Sequence, residues 1–242
     1  MAHHTLNRKY TILDSFYFTG LQYLAEELEQ NNIPYVIGGG AAFQIRTAHI
    51  LGGGVADIRG ITGLDVLLRE TGDVDLATTA SEAQMVVVSN LLSQRLPFNI
   101  TSLSGKRISL RKEDDVVFVN YQTEPSDFWW LPDHYSHIID TAEEVTVRRK
   151  NSELRAKVPT LEYGIALKLL RLKMKDQTDI VNLLNACRHR NFSPHLEEVR
   201  SILKSAGKEE CYDFFHEIEY DPQEKRPSPS LDDSVGLCLV GK

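Results

Sequence analysis

Between residues 11 and 30, apolar side chains recur at three- and four-residue steps (Leu13, Phe16, Tyr17, Leu21, Leu24, Leu28). Glu26, Glu27 and Glu29 fall on the opposite side. That period predicts an amphipathic helix, which Asn31-Asn32 stops. The apolar run 33–37 predicts a strand ending in Gly38-Gly39-Gly40, and residues 41–48 continue as a helix. Glycines crowd residues 50–63 and predict a mobile surface loop, because they weaken any regular element. Residues 69–76 read as a short strand. Residues 81–95 read as a second helix with Met85, Val88, Leu91 and Leu92 as its stripe. Residues 107–111 and 116–122 flank the turn Lys112-Glu113-Asp114-Asp115 and predict a β-hairpin, and 143–147 adds a strand.

The pattern changes after Pro159. Thr160 suits an N-cap and Glu162 the first turn of a helix reaching about residue 175. Two more helices follow at about 178–190 and 194–204, and a short one near 208–217. Prolines 222, 227 and 229, with serines and charges, predict a disordered tail over 221–242. The implied fold class is α+β. A small mixed β-sheet flanked by helices occupies residues 1–155, a C-terminal helical bundle residues 156–220.

Composition narrows the function classes only slightly. Apolar residues make up 42% and charged residues 25% of the 242, which is ordinary for a globular chain. A net charge of −7 argues against a general nucleic-acid coat. No apolar run is long enough to span a membrane, and the N-terminus lacks a signal-peptide core. Cys187, Cys211 and Cys238 are odd in number and widely spaced, so reduced thiols in the cytoplasm are expected.

The chemistry concentrates in two places. A strand that ends in glycines and opens a helix brings backbone N–H groups and a positive helix end to an anion. On the next strand, Asp73 and Asp75 share one face while Val74 and Leu76 face the core. Two adjacent carboxylates repel unless a cation shares them, and oxygen ligation with open positions suits Mg²⁺ held together with a substrate phosphate. The pair is too close to straddle a glycosidic bond. Further on, Lys168, Arg171, Lys175 and Asp179 share one face if their helix is continuous. Lys168, set among Ala166, Leu167, Leu169 and Leu170, is then the cleft lysine that reaches a triphosphate.

These pieces stand in order: Ile37-Gly38-Gly39-Gly40-Ala41-Ala42, then Arg69-x-Thr71-x-Asp73-Val74-Asp75-Leu76, then Leu161-Glu162-x-x-x-Ala166-Leu167-Lys168 with Asp179 downstream. In that order they resemble the AbiEii-like nucleotidyltransferases of the DNA polymerase β-like superfamily, which include the MenT toxins. The resemblance spans about residues 33–185. It implies transfer of a nucleoside monophosphate from an NTP to an acceptor hydroxyl (of a tRNA 3′ end, a protein side chain or a small molecule), with Mg²⁺. A cognate protein partner, as for a toxin, is a further expectation. By the same resemblance, Gly38, Gly39, Gly40, Arg69 and Lys168 bind nucleotide, Asp73 and Asp75 hold metal, and Asp179 is the acid of the helical part. The family places a hydroxyl residue after its glycine pair, where this chain has Gly40-Ala41. It also ends a hairpin strand with a third carboxylate, metal ligand or base, where this chain has Asn120. Either Asp114 or Asp115 substitutes, or catalysis is weakened and the chain is a nucleotide-binding or interaction module.

Other features are weaker. Trp129-Trp130 would stack a base or pack beside the sheet. His134 and His137 read as surface histidines rather than zinc ligands, and Cys187 as core packing. Arg148, Arg149, Lys150, Arg155 and Lys157 form either a basic patch for RNA or a solvated linker.

Overall fold

The computed structural model describes residues 8–95, 99–103 (backbone only), 106–125 and 131–218. The tryptophan pair and the segment 221–242 lie outside the described residues.

Helix α1 (Ser15–Gln30) buries Tyr17, Leu21, Leu24 and Leu28 of the predicted stripe, together with Phe18; Glu27, expected on the solvent side, is buried as well and pairs with Arg95. It begins later than the apolar pattern does, because the Asp14 carboxylate accepts the Thr11 N–H at 2.7 Å and turns the chain first. Strand β1 (Tyr35–Gly38) runs directly into α2 (Gly39–Gly52), which ends at left-handed Gly53. The region expected as a mobile glycine loop is therefore partly helix. Beyond it, Asp57 caps a 3₁₀ turn (Ile58–Gly60) that buries Ile58. Glycines there end elements rather than dissolve them.

A one-turn helix α3 (Leu64–Leu67), strand β2 (Asp73–Thr78) and helix α4 (Glu82–Gln94) follow. Ser81 and Gln84 form a reciprocal capping box at the start of α4. Then come β3 (Asn99–Leu103), β4 (Arg107–Lys112) and β5 (Asp115–Gln122). The β4–β5 hairpin matches the sequence pattern; β3 was not anticipated. Helix α5 (Tyr135–Asp140) leads to β6 (Glu143–Arg149) and β7 (Ser152–Val158). This second hairpin contains the basic run that sequence reading left between patch and linker.

The sheet order is β1-β2-β5-β4-β3, with β6-β7 forming a separate pair. β2 lies antiparallel to β1 and parallel to β5, so the sheet is mixed. The remaining described helices are α6 (Leu161–Arg171), α7 (Met174–His189), α8 (Leu196–Ser205) and the short α9 (Phe214–Glu217). One apolar core joins α1, the inner sheet face and the β6–β7 hairpin. A second gathers α5 through α9 around Phe43 of α2, with Val36 and Ala77 from the sheet. Among the described residues no helix is long and apolar enough to cross a membrane.

One expectation fails with consequence. The helix starting at Thr160 does not continue through residue 175. It stops at Leu172, whose φ of 41° is left-handed, and the chain restarts at Met174. No glycine or proline marks the break in the sequence. The buried Asp176 carboxylate marks it in space, accepting the Lys173 N–H at 3.4 Å as α7 begins. In a continuous helix Lys168 and Asp179 would sit ~16 Å apart along the axis. The break brings them to 2.7 Å.

Candidate functional site

The β1–α2 junction and β2 form one unit. Antiparallel pairing sets Gly38 opposite Asp75. Gly39 has a φ of +60°, and a Cβ there would lie 2.0 Å from Asp75 Oδ2 and 3.0 Å from its Cγ. Glycine is required twice over, by the left-handed backbone and by the close carboxylate. Gly40 serves a different neighbour: a Cβ there would meet the Arg69 guanidinium at 2.8 Å and Thr71 Oγ1 at 3.1 Å. Its missing side chain makes room for Arg69.

Along β2 the burial alternates as the sequence predicts. Asp73 is exposed and Asp75 half-buried on one face, while Val74 and Leu76 are buried on the other. Asp73 accepts from Thr71 Oγ1 and from Asn120 Nδ2, both at 3.3 Å. The Asp75 carboxylate makes no hydrogen bond or ion pair among the described residues. Burial and the neighbouring Asp73 charge raise its pKa above the ordinary carboxylate value, although Arg171, Lys168 and Lys175 pull the other way. A half-buried carboxylate with raised pKa, beside a second carboxylate and at a positive helix end, has the donor chemistry that a hard cation neutralises. No group of three or more His, Cys, Asp or Glu is arranged for a metal among the described residues. A cation here would complete its shell with substrate or solvent oxygens.

Behind the cleft lies a buried ionic network. Arg69 donates two parallel bonds to Asp179, at 2.7 and 2.9 Å. Lys168 Nζ donates to Asp176 at 2.9 Å and to Asp179 at 2.7 Å, and sits 5.2 Å from the centre of the Phe43 ring. Arg171 joins Asp176 through two longer contacts of 3.3 Å. Lys168 is only 4% exposed and Asp176 fully buried. Lys168 is therefore not the free cleft lysine expected from the sequence, because the helix break supplies it with two acids. A cavity of about 130 Å³ opens beside this network, lined by Gly38, Gly39, Asp75, Lys168 and Arg171.

The structure brings Gly38, Gly39, Asp73, Asp75, Lys168 and Asp179 to one region, with Arg69 and Gly40 packed behind the junction. Asn120 joins them through strand register, opposite Asp75 on the parallel neighbour β5. Asp115 does not substitute for a carboxylate at that position. It lies five residues back along β5, ~17 Å away, and accepts from Arg8 Nη1 at 2.6 Å and Tyr10 Oη at 3.1 Å. Asp114 sits in the turn at the same far end. A larger recess of about 470 Å³ surrounds Asp115, with Arg8, Lys9, Lys112, Asp14 and Glu113 on its walls. Its charges are mixed, and neither the glycine junction nor the aspartate pair faces it.

Sequence reading missed Asp176, hidden by the apparent continuity of the helix, and the Arg107–Asn120 contact, which strand register creates. It also missed what surrounds Tyr17. That side chain is fully buried, its hydroxyl has no hydrogen-bond partner among the described residues, and burial with the Asp73 and Asp75 charges pushes the phenol well above its ordinary value. The basic run is partly paired: Arg148 and Arg155 share Glu153 within the hairpin, and Lys157 binds Glu29 of α1. His134 bridges Tyr163 Oη and Ser205 Oγ, each at 2.9 Å, as packing polar contacts. Cys187 is buried, and burial pushes its thiol up to about 12.

No protein-family model matches the chain, and no curated protein matches it. Among solved structures, an antigenic nucleotidyltransferase-like protein from Paracoccidioides brasiliensis is 19% identical, with a TM-score of 0.47, covering 82% of this chain and 89% of that one. The antibiotic-resistance factor ANT(2'')-Ia is 14% identical, with a TM-score of 0.42, covering 86% of this chain and 100% of that one. At these levels neither likeness establishes a shared activity.

Proposed function

We propose that this chain is a Mg²⁺-dependent nucleotidyltransferase of the AbiEii/MenT-like type, acting in the cytoplasm. It would move a nucleoside monophosphate from an NTP to an acceptor. One observation carries the reading: the Asp75 carboxylate rests against left-handed Gly39 at the first turn of α2, with Asp73 beside it on the same strand face. The junction's N–H groups and helix end receive phosphate oxygens. Arg171, on the cavity wall, adds a guanidinium to that anion site. Asp73 and Asp75 would hold Mg²⁺, which when bound neutralises phosphate charge. Lys168 acts from behind, fixing Asp176 and Asp179, so that Asp179 in turn holds Arg69 against Gly40.

A second reading has its own observation. Asn120 stands opposite Asp75 and cannot accept a proton as a base. On that reading the chain binds nucleotide but transfers it weakly or not at all. Incubation with each α-labelled NTP, Mg²⁺, total tRNA and a deproteinised cell extract separates the two. Labelled product from any of them supports the transferase. No transfer by any nucleotide, with Mg²⁺-dependent NTP binding intact by calorimetry, selects the second reading. Loss of both transfer and binding refutes each.

A further inference from the structure

Two side chains from different segments hold Asp73. Thr71, two residues upstream, has its backbone fixed by an antiparallel bridge to Tyr10, with N–H to carbonyl distances of 2.8 and 2.9 Å. A Cβ on Gly40 would lie 3.1 Å from the Thr71 hydroxyl oxygen, so the missing side chain there leaves Thr71 its room. Thr71 Oγ1 donates to Asp73 Oδ1, and Asn120 Nδ2 on the neighbouring strand donates to Asp73 Oδ2, both at 3.3 Å. Each carboxylate oxygen thus has one neutral donor and keeps a lone pair for a cation.

Chemistry fixes which end of the Asn120 amide faces Asp73. Arg107, directly opposite in register, approaches the amide through Nε at 2.7 Å, and a guanidinium only donates. The atom it meets is therefore the carbonyl oxygen, and the NH₂ is left for Asp73. The Phe118 ring centre, 5.1 Å from the guanidinium carbon, holds Arg107 in place. The oxygen through which an amide ligates a hard cation is thus taken by a cationic donor.

We propose that Thr71 and Asn120 are positioning residues that clamp Asp73 for the metal, with Arg107 setting the Asn120 amide. This rests on the nucleotidyltransferase reading. Asn120 is then neither a lost base nor a metal ligand, and it acts through Asp73. Mg²⁺ demands near-ideal octahedral ligation, whereas Ca²⁺ accepts a flexible shell. A carboxylate released from its clamp therefore costs Mg²⁺ binding more than Ca²⁺ binding. A general loosening of the fold would weaken both alike.

The test is calorimetry on the full-length protein, using whichever of the four NTPs the wild type binds most tightly with Mg²⁺, and then Ca²⁺ in place of Mg²⁺. Thr71→Val and Asn120→Leu should each raise the Mg²⁺–NTP Kd about fivefold to tenfold, and the Ca²⁺–NTP Kd no more than about twofold. Thr71→Ser keeps the hydroxyl and should stay close to wild type. Asn120→Asp keeps the shape but donates nothing, so it should lose Mg²⁺–NTP affinity as Asn120→Leu does. Arg107→Met should weaken Mg²⁺–NTP binding on its own and add nothing to Asn120→Leu. Arg107 is exposed, so this variant carries the test if Asn120→Leu does not fold. Tighter Mg²⁺ binding or faster transfer in Asn120→Asp would make position 120 a ligand or base and overturn the inference. Unchanged Mg²⁺–NTP affinity in Thr71→Val and Asn120→Leu, or equal losses with both metals, would overturn it too. The transferase reading survives each of those results. Absence of metal-dependent binding of any of the four NTPs to the wild type removes that reading, and the clamp with it.

Discussion

Lys168→Ala separates a cleft lysine from a buried strut. The ammonium donates to Asp176 at 2.9 Å and Asp179 at 2.7 Å, and the residue is 4% exposed. Its removal leaves Asp176 with Arg171 at 3.3 Å and the Lys173 N–H at 3.4 Å, while Asp179 keeps its two bonds from Arg69. Removing one partner of a buried ion pair costs about 3–5 kcal/mol. Because both acids retain a guanidinium, the low end applies, about 3 kcal/mol. For a chain of this size that is ~6–12 °C in Tm. Urea unfolding at neutral pH measures the first figure, and thermal scans with and without Mg²⁺–NTP measure the second. The nucleotide-induced shift should survive largely intact. A loss below about 1 kcal/mol, together with a collapsed nucleotide shift, would refute the strut and restore Lys168 as a phosphate contact. Acidification supplies an independent check. Burial alone would raise Asp176, but the Lys168 hydrogen bond and charge, with Arg171, outweigh it and hold the carboxyl below its ordinary 3.8. The stability it contributes is complete above that value and is lost as pH falls through the lowered folded pKa. In Lys168→Ala the gap narrows, so the acid-side slope should be shallower than in the wild type.

Asp75→Asn should stabilise the metal-free protein at neutral pH. The raised pKa of Asp75 makes the folded state bind more protons, so stability falls as pH rises from the ordinary carboxylate value through the folded pKa and stays reduced above it. The asparagine variant should lack that slope and also lose the Mg²⁺–NTP thermal shift; a less stable variant at neutral pH counts against the like-charge explanation. Gly39→Ala should cost about 1–3 kcal/mol from its backbone alone, more with the carboxylate clash, as read from urea midpoints. Combining it with Asp75→Ala should return part of that cost, since the carboxylate 2.0 Å from the added methyl is gone; strictly additive costs would show that the contact is not the cause. Asp115→Asn should leave nucleotide binding and transfer at wild-type levels, whereas Asp73→Asn should abolish both. Lost transfer in Asp115→Asn would bring that residue back as the missing carboxylate.

The sequence by itself determined the elements whose signals are local. The period of α1, the Gly38-Gly39-Gly40 strand-to-helix junction, the alternation along Asp73–Leu76 and the β4–β5 hairpin all follow from side-chain spacing and glycine backbone freedom, and each is present in the structure. Only the tertiary structure decided which residues meet. Leu172 breaks a helix that nothing in its composition interrupts, and the break brings Arg69 and Arg171 to the buried Lys168, Asp176 and Asp179. That break turned Lys168 from a free charge into a paired one. Strand register, invisible in a single chain segment, set Asn120 beside Asp75 and Arg107 opposite Asn120, and left Asp115 at the far end of the same strand. Spacing along a chain fixes which face a side chain occupies; the partner on that face belongs to another segment, and only packing selects it.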